Sequence, residues 1–308
     1  MRMILVGLGN QGRKRLAIAG ADVIATVDPV AAASYPSVDH VAPEAFDGAF
    51  VCTPDRNKVA IVKHLLALGK HVLVEKPLLA DDGDDLAHLH KLARSARVAC
   101  YTAYNHRFEP AVRRMRAVLD AGTLGTIYAA KLCYGNGTAA DVQASPWRDQ
   151  GLGVLGDLGS HLLDLTDYLL GRPSEPFRLH SASCFENRAF DFVSFGAPGK
   201  PVVTLEASLI SWRNTFRIDL YGANGSAHLD GLCKWGPSKL TVRRRVLPSG
   251  RPTEEVWAVE QPDPTWAAEY EHFNQLCRTA GSNIETDMWI ASVLRSLGNR
   301  SEGSSCAA

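Results

Sequence analysis

Within its first dozen residues the chain commits to one local geometry. The apolar run Ile4-Leu5-Val6 passes directly into Gly7-Leu8-Gly9-Asn10-Gln11-Gly12, and Arg13, Lys14 and Arg15 then continue as a helix. A strand that turns into a helix through glycines makes a tight corner where a ligand can approach the backbone. The helix start also presents N–H groups with no intrahelical partner. A pyrophosphate suits such a corner. The spelling G-x-G-x-x-G means little by itself, but its place at the first strand-to-helix turn supplies the structural context the motif needs. Gly7, Gly9, Asn10, Gln11 and Gly12 are therefore candidate cofactor-binding residues.

The rhythm set by that corner repeats. Short β-rich runs at 4–6, 23–27, 49–52, 72–74 and 98–101 alternate with helical stretches such as 57–69 and 84–96. Strands this short and continuously apolar are covered on both faces, which predicts an α/β fold with a doubly wound parallel sheet and right-handed crossovers. After a helix over about 108–121 the pattern changes to strand-like runs at 127–134, 181–186, 190–195, 202–210, 215–221 and 226–229. One helix at 155–170 interrupts them, and helices near 266–278 and 286–297 close the chain. Strands in series predict an α+β domain with an antiparallel or mixed sheet. The division expected is 1–121 for the first domain, 122–300 for the second, and a frayed tail at 301–308.

A chain of 308 residues exceeds what one core usually organises, in keeping with two domains. Its 33 basic residues balance 33 acidic ones, which removes the electrostatic footprint for nucleic acid or an anionic membrane. A small-molecule partner is the expectation. The seven cysteines are scattered and never spaced as CxxC, which fits reduced thiols. The first strand lies close to Met1 and no apolar run reaches the ~18 residues of a membrane span, so the protein is expected to be cytoplasmic.

Asp28 ends the second strand, about twenty residues past the glycine corner, where a carboxylate can accept bonds from the adenosine ribose hydroxyls. A 2′-phosphate would be repelled there, and Pro29 follows in place of an arginine or serine. NAD is thus expected over NADP. A turn or capping role for Asp28 is the plainer alternative. Thr53-Pro54-Asp55 follows the third strand and should flank the nicotinamide half, although Thr53 and Asp55 also suit helix capping. Glu75-Lys76-Pro77 follows the fourth strand on the same sheet edge, where a lysine ammonium can stabilise charge developing on a reacting oxygen. The Lys76-Pro77 bond is a candidate cis peptide.

On the 155–170 helix, Asp157, His161 and Asp164 recur at four and three residues and share one face, while Leu158, Leu162, Leu165 and Leu169 form another stripe. A histidine with a carboxylate one turn away suits a general base near neutral pH. A satisfied structural histidine is the competing reading. A metal site is not expected, since no further His or Cys cluster lies nearby in sequence. The 135–150 loop offers Asn136, Trp147 and Arg148, an aromatic surface and a guanidinium suited to a base, a sugar ring or a phosphate. Trp147 could equally anchor the loop to the core.

GLGNQG, the EKP at Glu75 to Pro77, Tyr104-Asn105-His106-Arg107-Phe108-Glu109-Pro110 and the glycine-rich run from Gly151 to Asp164 stand in the order seen in the glucose-fructose oxidoreductase, inositol dehydrogenase and MocA family. The chain resembles that family over roughly residues 1–300. The resemblance implies a Rossmann domain followed by an α+β domain whose open sheet makes oligomer contacts, in a homodimer or homotetramer, with the dinucleotide held between the domains. It implies that Lys76, Asp157 and His161 are catalytic, with His161 aligned by Asp157. Glu75 and Lys76 would approach the cofactor, and Asn105, His106 and Arg107 would line the substrate side. The family often carries a histidine on the helix after the Thr-Pro turn; this chain has Asn57 there, which is taken as the corresponding cofactor contact. The segment GLGVLGD also replaces a plain GGG run. Within the family, the 135–150 loop with its SPWRDQG stretch is most similar to members acting on nucleotide-linked amino sugars, such as UDP-N-acetylglucosamine 3-dehydrogenases. That similarity adds Trp147 and Arg148 to the substrate residues and implies oxidation at C3. Oxidation of a free sugar or inositol, and a catalytically silent dinucleotide-binding sensor, are the alternatives.

Overall fold

The computed structural model describes residues 1–80, 83–145 and 147–299. Within them the chain forms two compact units, Met1–Asn105 with Thr265–Ser292, and His106–Pro264 with 293–299. The tail expected to fray, 301–308, lies outside the described residues.

The first unit opens with β1 (Met3–Val6), α1 (Asn10–Ala19) and β2 (Val23–Val27), then β3 (Gly48–Val51), α2 (Asp55–Ala67), β4 (His71–Glu75), α3 (Gly83–Ala96) and β5 (Cys100–Ala103). All five strands pair in parallel in the order β2-β1-β3-β4-β5. Strands β1, β3 and β5 are buried at every position, as expected of a sheet covered on both faces. The chain goes to one side of β1 for β2 and to the other for β3. That reversal opens a crevice at the strand carboxyl ends, where ligands bind in doubly wound sheets.

The second unit contains α4 (Pro110–Asp120), β6 (Ile127–Gly135), α5 (Ala139–Gln143), α6 (Val154–Leu170), β7 (Arg178–Ser183), β8 (Phe192–Ala197), β9 (Val202–Ser208), β10 (Thr215–Gly222), β11 (Gly225–Asp230), β12 (Ser238–Val246) and β13 (Gly250–Val259). Eight strands run in the order β13-β12-β11-β10-β6-β9-β8-β7, antiparallel throughout except for the parallel pair β6 and β9. Helix α6 packs on β6, β8 and β9, and α4 on β11, β12 and β13. Helices α7 (Thr265–Thr279) and α8 (Ile284–Gly298) close the chain.

The structure departs from the sequence reading at several points. The sequence reading places α4 with the first domain, yet α4 lies on the second sheet. The segment 265–292, read as part of the second domain, returns to the first unit, where Phe273 is fully buried and Phe50 meets Tyr270 edge-on at 5.3 Å. Strands β12 and β13 were not anticipated. Arg243, Arg244 and Arg245 crowd β12, and β13 is exposed along nearly its whole length, so neither shows an apolar alternation. Cys52, Cys100, Cys133, Cys233 and Cys277 are free thiols, as expected, but Cys184 is disulfide-bonded. Distance in the fold decides pairing, and sequence spacing does not reveal it. Among the described residues no helix is long and apolar enough to cross a membrane.

Candidate active site

In the first unit the carboxyl end of every strand carries a residue singled out from the sequence. Gly7 follows β1, Asp28 follows β2, Thr53 follows β3, Lys76 follows β4 and Asn105 closely follows β5. A parallel sheet puts all five ends on one edge.

The glycine corner has the shape its sequence requires. Gly7 has φ +97°, and a Cβ there would lie 2.7 Å from the Cys52 carbonyl oxygen on the loop after β3. A Cβ on Gly12 would collide with the carbonyl oxygen of Gly7, whereas one on Gly9 would meet no protein atom within 4 Å. Helix α1 has no side-chain cap and no acidic residue in its first turn. The Thr53 hydroxyl oxygen is buried without a hydrogen-bond partner. An uncapped, acid-free helix start beside open space, with a hydroxyl able to bond nearby, fits the phosphates and amide of a dinucleotide.

Asp28 fills the turn role given as the plainer alternative. Its Oδ2 accepts the Leu8 N–H at 2.7 Å, and its Oδ1 accepts those of Val30 and Ala31 at 2.8 Å each. Partial burial pushes the carboxyl pKa up, but the bonds from Ala31, Leu8 and Val30 outweigh that effect and hold it below the usual range. The carboxylate thus ties the glycine loop to the end of β2 and still has acceptor capacity.

Lys76-Pro77 is a cis peptide, as the sequence suggested. The turn around it is held by a residue the sequence reading missed. Lys58, only 3% exposed, donates from Nζ to Asp55 Oδ1 at 2.7 Å and to the carbonyl oxygens of Lys76 and Pro77 at 3.1 Å each. Asn57, read as the cofactor contact on this helix, is exposed. Adjacent helical positions point about 100° apart, so only one of the two can lie on the buried stripe with Val62 and Leu65. The capping roles considered for Thr53 and Asp55 do not appear: α2 has no side-chain cap, and Asp55 holds Lys58.

Glu75 is also committed. Its Oε1 accepts from Arg15 Nε at 2.8 Å, while Arg15 Nη2 reaches Glu269 Oε2 on α7 at 2.6 Å. The guanidinium is 1% exposed and stacks on Trp266 with 4.2 Å to the ring centroid. Burial alone would lower its pKa, but the fields of Glu75 and Glu269 outweigh that and keep it charged. The signal for Arg15 was in the sequence, because Gly12, Arg15 and Ala19 occupy the buried stripe of α1 at helical spacing. Asn105, expected at the substrate, donates from Nδ2 to Thr265 Oγ1 at 2.8 Å and so fastens the start of α7.

In the second unit, a 3₁₀ turn over Asn105–Phe108 meets α6 at two successive residues. His106 Nδ1 lies 3.1 Å from His161 Nδ1, and Arg107 chelates Asp164 through Nε and Nη2, with Nε 2.8 Å from Oδ2 and Nη2 2.6 Å from Oδ1. Both histidines are buried, at 3% and 5%. Around them stand Tyr134 of β6, whose ring lies 5.1 Å from His106 and 5.8 Å from His161, Phe216 of β10 and Trp235. Burial, then the charges of Asp157 and Asp263, push the Tyr134 hydroxyl pKa upward. Complete burial pushes the Asp164 carboxyl up to about 6 against the opposing field of Arg107.

The structure adds partners that the sequence reading does not name. His161 Nδ1 faces His106 Nδ1, and Asp157, expected to align His161, has Arg148 Nη2 3.5 Å from its Oδ2. A pairing between segments 55 residues apart has no local signature. Arg107, expected at the substrate, has Nε and Nη2 on Asp164. Trp147 is 55% exposed and so does not anchor its loop in the core. Among the described residues no group of three His, Cys, Asp or Glu side chains is placed to hold a metal.

Comparison with known proteins bears on both units. Residues 1–104 match the model described as the oxidoreductase family, NAD-binding Rossmann fold, and residues 112–228 match the GFO/IDH/MocA C-terminal domain. A levoglucosan dehydrogenase of Pseudarthrobacter phenanthrenivorans is 29% identical over 126 residues, 39% of this chain and 32% of that protein. Inositol 2-dehydrogenase 1 of Saccharopolyspora erythraea is 34% identical over 127 residues, 40% of this chain and 35% of that protein. These matches thus span about a third of each relative. A solved levoglucosan dehydrogenase in complex with NADH superposes with a TM-score of 0.82 at 18% identity, covering 97% of this chain and 96% of that one. A UDP-N-acetylglucosamine 3-dehydrogenase from Acidithiobacillus ferrooxidans gives 0.79 at 18% identity with the same coverage. At such identity the likeness is one of fold.

Proposed function

This chain belongs to the glucose-fructose oxidoreductase, inositol dehydrogenase and MocA family of NAD-binding oxidoreductases, and on that premise we propose that it oxidises a secondary ring hydroxyl of a sugar or cyclitol. When bound, NAD supplies the hydride acceptor. Gly7, Gly9, Asn10, Gln11 and Gly12 would hold its pyrophosphate, Asp28 the adenosine ribose, and Thr53 and Pro54 the nicotinamide half. The observation that carries the catalytic part is His161, a buried ring bonded through Nδ1 and walled by aromatic side chains.

His161 removes the hydroxyl proton at Nε2. Lys76, which the resemblance also implies to be catalytic, would supply an ammonium able to stabilise charge developing on a reacting oxygen. Asp157, one helical turn before His161, favours the protonated ring by its charge. A base of this kind contributes on the order of a hundredfold to ten-thousandfold in rate. Asp28 supports NAD over NADP, because a 2′-phosphate beside that ionised carboxylate is disfavoured.

A free monosaccharide or cyclitol is the substrate class we favour, since the Arg148 guanidinium expected to meet a nucleotide phosphate faces Asp157. UDP-N-acetylglucosamine, oxidised at C3, is the second reading, supported by the exposed Trp147 indole as a platform for a base or sugar ring. The test is NAD reduction, followed by absorbance, against free sugars, inositols and UDP-sugars. Turnover confined to UDP-sugars would replace the first reading by the second. Dinucleotide binding without turnover on any of them would favour the silent sensor.

A further inference from the structure

Resting on the assignment of His161 as the base, we propose that His106 is its positioning residue: Nδ1 of His106 accepts the Nδ1–H of His161 and so leaves the lone pair of His161 on Nε2. The two Nδ1 atoms are 3.1 Å apart, with ring centroids 4.3 Å apart and planes inclined by 51°. A neutral imidazole has one N–H and one lone pair. Two N–H groups cannot face each other at that distance, and two lone pairs would repel, so one proton lies between the rings. Only two neutral arrangements follow. If His161 provides that proton, its Nε2 can accept another from substrate. If His106 provides it, the hydrogen of His161 sits on Nε2 and the ring cannot serve as a base there.

Ring contacts and a neighbouring ion pair hold His106 in place. Its ring meets Tyr134 edge-on at 5.1 Å and Phe216 at 5.5 Å. The next residue, Arg107, is locked to Asp164, three residues beyond His161 on the same helix. His106 thus holds the Nδ1 side of His161, and Asp157 Oδ2 has Arg148 Nη2 at 3.5 Å. Charged and titratable groups near the pair include Asp157 and Asp164 of α6, Arg107 of the turn, Tyr134 of β6, and Asp263, whose charge acts on Tyr134.

Two variants separate positioning from packing. His106→Phe keeps a flat ring and removes the acceptor. His106→Asn removes the ring but branches at Cγ so that an amide oxygen can take the place of Nδ1. Positioning predicts that kcat on the substrate found by the panel falls roughly tenfold to hundredfold in His106→Phe, with NADH affinity unchanged, and recovers to within about fivefold in His106→Asn. A packing role predicts the reverse order, and that result overturns the proposal. The tautomer itself is read by nitrogen-15 NMR of the full chain labelled at histidine, with His161→Ala identifying the signal. His161 should carry its proton on Nδ1 in the wild type; a proton on Nε2 refutes the positioning role. No substrate enters that measurement, so a failed sugar panel and a failed positioning role are told apart.

Discussion

Replacing Arg15 by methionine should cost more than any surface charge in the molecule, and should cost less as the pH falls. The guanidinium lies 2.8 Å from Glu75 and 2.6 Å from Glu269, and only 1% of it reaches solvent. Methionine fills the volume but leaves two carboxylates facing each other in the interior. Breaking a buried pair by removing one partner costs about 3–5 kcal/mol. For a unit of this size that corresponds to a fall on the order of 10–20 °C in melting temperature. Without Arg15 both carboxyl pKa values rise, because burial and mutual repulsion disfavour ionisation. A group whose folded pKa is raised stabilises the fold below its unfolded pKa and loses that contribution as the pH climbs through the folded value. The deficit of Arg15→Met should thus be largest near pH 8 and shrink towards pH 5, while the wild type changes little across that interval on this account. Melting curves by circular dichroism for both proteins at three pH values measure it. A deficit below about 1 kcal/mol, or one that does not vary with pH, would refute this account of Arg15. Adding Glu75→Gln and Glu269→Gln to Arg15→Met should remove the pH dependence.

Other expectations follow from the same geometry. Gly12→Ala should force the Gly7 carbonyl aside and abolish the energy transfer from tryptophan to NADH on titration; undiminished binding would show that the corner tolerates a side chain. His161→Ala should lower turnover at least a hundredfold with NADH affinity nearly intact, so a variant keeping most activity assigns the base elsewhere. Asp28→Ser should move the ratio of NADH to NADPH affinity at least tenfold towards NADPH, and an unchanged ratio removes the argument for NAD selectivity. Light scattering after gel filtration should give two or four times the monomer mass; a monomer would exclude the homodimer and homotetramer expected of this chain.

The first unit was easier to read than the second for a physical reason. In β1, β3 and β5 both faces are buried, so apolar runs mark strands directly, and the glycine corner marks where β1 turns into α1. Strand β13, exposed at one edge of the second sheet, has no such constraint and left no pattern. Single residues depend on packing in the same way. Asn57 and Lys58 differ by one helical step, and Lys58 is the buried one because its side of α2 faces the Lys76-Pro77 turn. Arg15 could have been found, since a charged residue on the buried stripe of a helix implies a buried partner. Its partners Glu75 and Glu269 could not, being 60 and 254 residues away.

The sequence by itself determined the parallel sheet, the glycine corner, the polar face of α6 and the family, because each is written within a few consecutive residues or at helical spacing. Only the tertiary structure decided which side chains complete one another: Arg15 with two glutamates, Lys58 with the cis turn, Arg107 with Asp164, and His106 with His161. A hydrogen bond depends on a separation of about 3 Å in space. Residues far apart in the chain reach that separation only after packing has brought their elements together, so the pairing leaves no local trace from which it could be read.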